Sequence, residues 1–290
     1  MTVALPQLRA LVAVVDAGGF GAAAARLGVS QSAVSHAIAA LERAAGRPVV
    51  ARGVPISPTL LGRRLVEHAR IAVAAAAAAE DLLRDPAENP SGAVTLAAPP
   101  TACHAVLPDL LAGWSAEYPD LRVVLLEGED DEVVGWLEDG TADLAIVVDP
   151  GTGPAEALPV AADGFQVVLR TDHPLAGERS VDVADLADDP LLLSTGGCER
   201  QIRELYRQAG CAFTPTHRVR QLSTLFSMVR AGIGVSLVPG LAAGMEGAGL
   251  VLVPVAQHLR RELVLTGPAR RPWRPGVAQM IDVVRARRAA

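Results

Sequence analysis

Between positions 30 and 36 the chain reads Ser-Gln-Ser-Ala-Val-Ser-His, which sets three hydroxyls, an amide and an imidazole within two helical turns. A glutamine pairs with an adenine edge through both ends of its amide, and serine hydroxyls serve bases and phosphates alike. That chemistry is recognition, not bond breaking. Val34, Ile38 and Leu41 fall on one helical face and form its buried stripe, which leaves Gln31, Ser32, Ser35 and His36 outside. Ser30 stands where an N-cap belongs, and Gly28 separates this helix from the apolar run ending at Leu27. Two short helices around one tight bend is the helix-turn-helix arrangement, whose second helix enters the major groove with its N-terminal residues leading. The bland alternative is a polar surface helix of some unrelated three-helix bundle.

Catalytic and metal chemistry find no comparable support. Ser194 has no identifiable base, and the sequence offers neither a nucleophile elbow nor a convincing carboxylate pair. The acidic run 127–132 reads as a solvated face. Cys103, Cys198 and Cys211 are too few for a disulfide framework, and the six histidines show no ligand spacing. The expectation is therefore no enzyme, no catalytic residue, no metal and no cofactor.

The net charge of −6 argues against nucleic acid until it is divided along the chain. Residues 1–70 carry eight arginines and three carboxylates, a net +5, and the remainder is −11. Lysine is absent, so every positive side chain is a guanidinium. A basic head on an acidic body suits a small polyanion-binding module joined to something that stays off DNA. Nothing near the start resembles a signal peptide, and no apolar run is long enough for a bilayer, so a cytoplasmic protein with no membrane partner is expected.

Positioning elements follow from pattern. A helix from Leu5 has Pro6 in its first turn and one face of Leu8, Leu11, Val12 and Val15. A second covers Ala22–Leu27 and a third Gln31–Ala45, followed by a small hairpin or wing before Thr59. Thr59 caps a long helix that ends before Asp85-Pro86, and its small side chains suit close approach of a partner helix. After the linker 85–92, β-rich runs at 93–98, 122–128 and 143–149 alternate with helices, which predicts a parallel βαβαβ sheet. A second α/β cycle starts near 165 and a helix from about Pro275 closes the chain. Two similar units suggest two subdomains facing a cleft.

The N-terminal residues resemble LysR-type transcriptional regulators. Leu8, Phe20, Ala23-Ala24, Leu27, the run Ser30–Ser35, Ile38, Leu41-Glu42, Gly46, Arg52, Thr59 and Gly62 stand in register with the family's helix-turn-helix pattern. The stretches "LPDLLAGWSAEYPDLRVVLLEGEDDEVVGWLEDGTADLAIV" and "VRAGIGVSLVPG" resemble its effector-domain hallmarks. There are departures. Gly19 and Gly21 replace the usual Ser and Thr, Ala45 and Val50 a Leu and a Phe, and His36 a frequent Arg, while the wing lacks its common arginine.

The resemblance implies a multidomain fold: an all-α winged helix-turn-helix DNA-binding domain (1–59), a dimerisation linker helix and hinge (60–92), and an α/β periplasmic-binding-protein-like effector domain (93–290). Within the last, subdomain I takes 93–161 plus 267–290 and subdomain II takes 162–266. It implies binding to double-stranded operator DNA through Ser30, Gln31, Ser32, Ser35, His36 and Arg52. It implies a homo-oligomer, dimer or tetramer, with RNA polymerase as a further partner. A small-molecule effector is expected between the subdomains, at turns supplying Pro100, Thr101, Ala102, Cys103, Ser194, Thr195, Gly197, Cys198, Ser223 and Thr224. Helix N-termini converge there, which favours an anion. Effector identity, target genes and the sign of regulation stay open.

Two rivals remain. A solute-binding protein or binding-protein-like enzyme would use the same cleft but leave residues 1–92 unexplained. A thiol switch would use Cys198 and Cys211, yet a helix of about 15 Å lies between them and a direct bridge requires local unfolding.

Overall fold

The computed structural model describes residues 3–51, 53, 55–83, 91–151 and 154–289. Helices α1 (Leu5–Ala17), α2 (Phe20–Leu27) and α3 (Gln31–Ala45) bury Leu11, Val14, Ala23, Val34, Ile38 and Leu41 in one core. α2 starts two residues earlier than the pattern suggests, because extended Gly19 serves as its N-cap without a side chain. Strands β1 (Val50–Ala51) and β2 (Ser57–Pro58) pair antiparallel as the wing. Glu42 anchors it, accepting a hydrogen bond from Val49 N at 3.0 Å. Helix α4 (Leu60–Leu82) follows, and the Thr59 hydroxyl caps it by accepting from Gly62 N at 3.1 Å. Its 23 residues span about 35 Å. Val66 and Ala69 on its inner face close the helical core.

The rest alternates strand and helix: β3 (Gly92–Ala98), α5 (Pro100–Ala105), α6 (Leu107–Glu117), β4 (Leu121–Glu127), α7 (Asp130–Asp139), β5 (Leu144–Val148), β6 (Leu158–Asp163) and β7 (Phe165–Arg170). Then come β8 (Leu192–Ser194), α8 (Glu199–Gln208), β9 (His217–Val219), α9 (Leu222–Arg230), β10 (Ser236–Pro239), β11 (Leu250–Pro254), β12 (Arg261–Thr266) and α10 (Pro275–Ala289). The single helix expected over 103–117 is two, since Pro108 opens a new first turn after the break at Val106.

One lobe is built on a five-stranded sheet of order β4-β3-β5-β12-β6, with β3 parallel to β4 and β5. The other has an antiparallel sheet β10-β7-β11 beside the parallel pair β8-β9. Here the structure corrects the sequence division. β12, counted there with subdomain II, pairs antiparallel with β5 and β6, and Leu263 and Leu265 are wholly buried in the first lobe's core. Residues 261–266 are buried on both faces, as a central strand is, and the sequence pattern alone does not say which sheet receives them. The chain therefore crosses between lobes twice, from β6 to β7 and from β11 to β12. Asp163 and Arg261 face each other in register at these crossings. α10 seals the first lobe with Val277, Met280, Ile281 and Val284. Among the described residues no helix is long and apolar enough to cross a membrane.

Candidate functional site

Two polar surfaces stand out. At the start of α3, Ser30, Gln31, Ser32, Ser35 and His36 are all exposed, while Val34 and Ile38 on the inner face are buried. The Ser30 hydroxyl accepts from Ala33 N at 3.2 Å and lies 2.9 Å from the Ser32 hydroxyl. It therefore ends the backbone of α3 as well as facing outward. Arg52 lies outside the described residues.

The second surface is a cleft of about 480 Å³ between the lobes. Pro100, Thr101, Ser194, Cys198 and Ser223 line it, as expected from the sequence. The other five expected residues do not. Ala102 is buried and Cys103 packs at the edge of the first lobe's core, its thiol directed at Ala98 O at 3.6 Å. Burial, then the Glu127 charge, push that thiol up to about 12. Thr195 N is bonded to Val219 O, Thr224 is exposed, and Gly197 has another task. At φ +98° it turns the chain into α8, and a Cβ there would fall 2.5 Å from Asp130 Cγ, so the Asp130 carboxylate rests on its bare backbone.

Missed from sequence were Glu127, Glu129, Asp130, Arg220 and Arg261, all lining the cleft. The acidic run set aside as a solvated face forms one wall instead, because α7 begins at the cleft and its cap and first turn are Glu129, Asp130, Asp131 and Glu132. Strand-to-helix position was the available signal. Arg261 lies far along the chain and gave none.

Arg261 is the cleft floor. Its side chain is 1 % exposed, with Nε and Nη2 donating to the two oxygens of Asp163 at 2.8 and 3.0 Å. Nη2 also donates to the Thr101 hydroxyl at 3.2 Å, and Nη1 approaches Cys198 Sγ at 4.0 Å. One guanidinium thus ties a hinge strand, α5 and the start of α8. Burial alone would lower its pKa, and the Asp163 carboxylate reverses the sign. Asp130 is pushed up to about 6, chiefly by burial, with Arg261 opposing and Asp131, Asp149 and Glu129 adding to the rise. Cys198, fully buried, is pushed up to about 12 by desolvation, which the nearby Arg261 only partly offsets.

The lobes also touch across the cleft. Arg220 Nε lies 2.8 Å from Glu129 Oε1, and its Nη2 donates to Glu132 at 2.8 Å. Gln201 Nε2 donates to Asp149 at 3.2 Å. Carboxylates exceed unspent cations at this wall, so the anion expected from helix N-termini meets negative charge. At α7 the Glu129 N–H is already taken, donating to the Glu132 carboxylate at 2.9 Å.

An open polar helix start, joined by one long helix to a two-lobed polar cleft, defines a DNA-binding regulator with a built-in small-molecule sensor. The comparisons agree. Residues 5–63 match the model described as bacterial regulatory helix-turn-helix protein, lysR family, and residues 87–289 match the LysR substrate binding domain. The chain is 36% identical over 251 residues to a probable hydrogen peroxide-inducible genes activator of Mycobacterium leprae, covering 82% of this chain and 78% of that one. It is 30% identical over 264 residues to the uncharacterized HTH-type transcriptional regulator YvbU of Bacillus subtilis, covering 89% and 87%. A full-length OxyR cysteine variant from Pseudomonas aeruginosa superposes with a TM-score of 0.76 at 25% identity, covering 98% and 95%. The chain belongs to the LysR family: it is a transcriptional regulator whose operator binding is modulated by an effector.

Proposed function

We propose that Gln31, Ser32 and Ser35 read base edges while Ser30, His36 and Arg52 hold phosphates, two copies of α3 being presented by chains paired along α4. Leu60, Ile71 and Leu82 are exposed on α4, which supports its use as a pairing surface. The protein would act in the cytoplasm on its own promoter region.

The observation that carries the coupling is the placement of α7. Its first residue lines the cleft, and its far end abuts α4. Gly140 ends it at φ +84°, so close that a Cβ would meet Ala74 Cβ at 3.0 Å and Arg70 O at 3.2 Å. Arg70 lies 4.0 Å from Asp139 and also donates to Asp16 of α1 at 3.3 Å. Asp16 further holds Arg26 of α2 at 3.1 Å. A shift of α7 by an occupant of the cleft reaches the DNA-reading unit through these contacts. Further along α4, Asp81 is held by Arg274 at 2.6 Å, which keeps the helix on the first lobe.

The test is fluorescence anisotropy with a promoter fragment. Salt-dependent, sequence-selective binding is expected, and its absence removes the reading. Gly140→Val, which touches neither surface, is expected to change operator affinity and amide exchange along 66–78. If both are unchanged, α7 is not the route.

A second reading has one observation behind it. Cys198 lies beside Arg261, and some relatives are named for response to hydrogen peroxide. Against it, a buried thiol pushed up to about 12 holds little thiolate, and α8 separates it from Cys211. Cys198→Ser decides: loss of an oxidant response in operator binding favours the thiol, and an unchanged response excludes it.

A further inference from the structure

The cleft also constrains the charge of its occupant, an inference that rests on reading this cleft as the effector site. Of its two guanidiniums, Arg261 is spent on Asp163, and Arg220 on Glu129 and Glu132. Among the described residues no cation lies within ion-pair distance of Asp130 or Glu127, the two carboxylates that remain. Asp130 is largely withdrawn from water between α7 and Gly197 of the opposite lobe. A carboxylate so placed is penalised until a positive charge arrives beside it.

The protein already shows what this wall recruits. The acidic first turn of α7 draws Arg220 across from the other lobe, although that side chain remains 65 % exposed. Such an exposed pair contributes little and exchanges readily. An external guanidinium or ammonium offers the same chemistry without the cost of holding a tethered side chain in place.

We propose that the effector is a small organic cation, an amine or a guanidine. Its charged head rests on Asp130 and displaces Arg220 from Glu129 and Glu132, and its apolar part lies along Leu222, Pro239 and Met245. Arg220 belongs to one lobe and the carboxylates to the other, so displacement releases a latch between them and shifts α7.

Four probes of equal length separate the charges: butylguanidinium, butylammonium, butyrate and butanol. They are titrated into the full-length protein at matched ionic strength and followed by thermal melting and calorimetry. The two cations are expected to raise the melting temperature. Asp130→Asn should weaken their binding by about ten-fold or more, and Arg220→Gln should tighten it by about three-fold by removing the internal competitor. Protection by butyrate that is lost in Ser194→Ala or Arg220→Gln overturns the charge assignment and leaves the cleft as the effector site. If no probe responds to Asp130→Asn, Arg220→Gln or Ser194→Ala, both the charge assignment and the cleft reading fall.

Discussion

The start of α3 and the floor of the cleft use polar side chains in opposite ways. On α3, Gln31, Ser32, Ser35 and His36 point into solvent, and the fold beneath rests on Val34, Ile38 and Leu41. At the floor, Arg261, Thr101 and Ser194 are themselves buried, and the hinge is built through them. Groups left in water are free for a partner and cost the fold nothing. Groups withdrawn from water must be paired, so they carry structure first and recognition second. Substitutions in the two regions should therefore separate binding from stability.

The largest effect is expected at the floor. Arg261→Ala strands the Asp163 carboxylate, which is 7 % exposed, and should cost about 3–5 kcal/mol in denaturant unfolding. A double variant, Arg261→Met with Asp163→Leu, should recover much of that loss by removing both charges. A loss from Arg261→Ala of under about 1 kcal/mol would mean that the floor is not structural.

Next comes Asp130, where the sign is opposite. Its pKa is about 6 in the folded chain against an ordinary 3.8, so the folded state holds the proton more tightly. Stability from this group is present below about pH 4 and declines as pH rises through 6. Asp131 and Glu129 on the same helix end and Asp149 beyond β5 sharpen the cost, and Arg261 reduces it. Asp130→Asn should stabilise the protein by about 2–3 kcal/mol at pH 7.5, with the difference vanishing near pH 4. Denaturation across pH 4–8 reads it directly, and a flat difference refutes the desolvated carboxylate.

On α3 the expectation reverses again. Gln31→Ala should leave the melting temperature unchanged, since the side chain is exposed. It should cost about 1–3 kcal/mol of discrimination at one operator base pair while non-specific binding stays constant. Equal losses on every sequence would make Gln31 a phosphate contact.

The same contrast explains what the sequence made legible. Helix α3 is one contiguous run with a helical period, so its cap, buried stripe and outer face follow from residue type alone. Of the cleft, the hydroxyls of Thr101, Ser194 and Ser223 were readable because each sits at a strand-to-helix junction. Arg261 and Asp163 were not, since they lie 98 positions apart and meet only once β12 enters the first lobe's sheet. The acidic run 127–132 misled for a related reason. Composition marks it as solvated, and only the direction of α7 turns it into a cleft wall. Sites drawn from several segments depend on topology, and pattern does not carry topology.

The smallest effect sits where the two behaviours meet. Ser30 is on the turn proposed to face DNA, yet its hydroxyl oxygen is spent on Ala33 N. Removing a serine cap costs about 1 kcal/mol, so Ser30→Ala should lower stability by that amount and weaken DNA binding as well. That variant alone does not say which loss causes the other. Ser30→Asp separates them, because aspartate caps as well as serine and suits the positive end of the helix, but it repels a phosphate. If Ser30 contacts the backbone of DNA, the aspartate variant keeps its melting temperature and loses affinity for specific and non-specific duplexes alike. If it keeps both, Ser30 is a cap alone and the phosphate contact is assigned elsewhere on the turn.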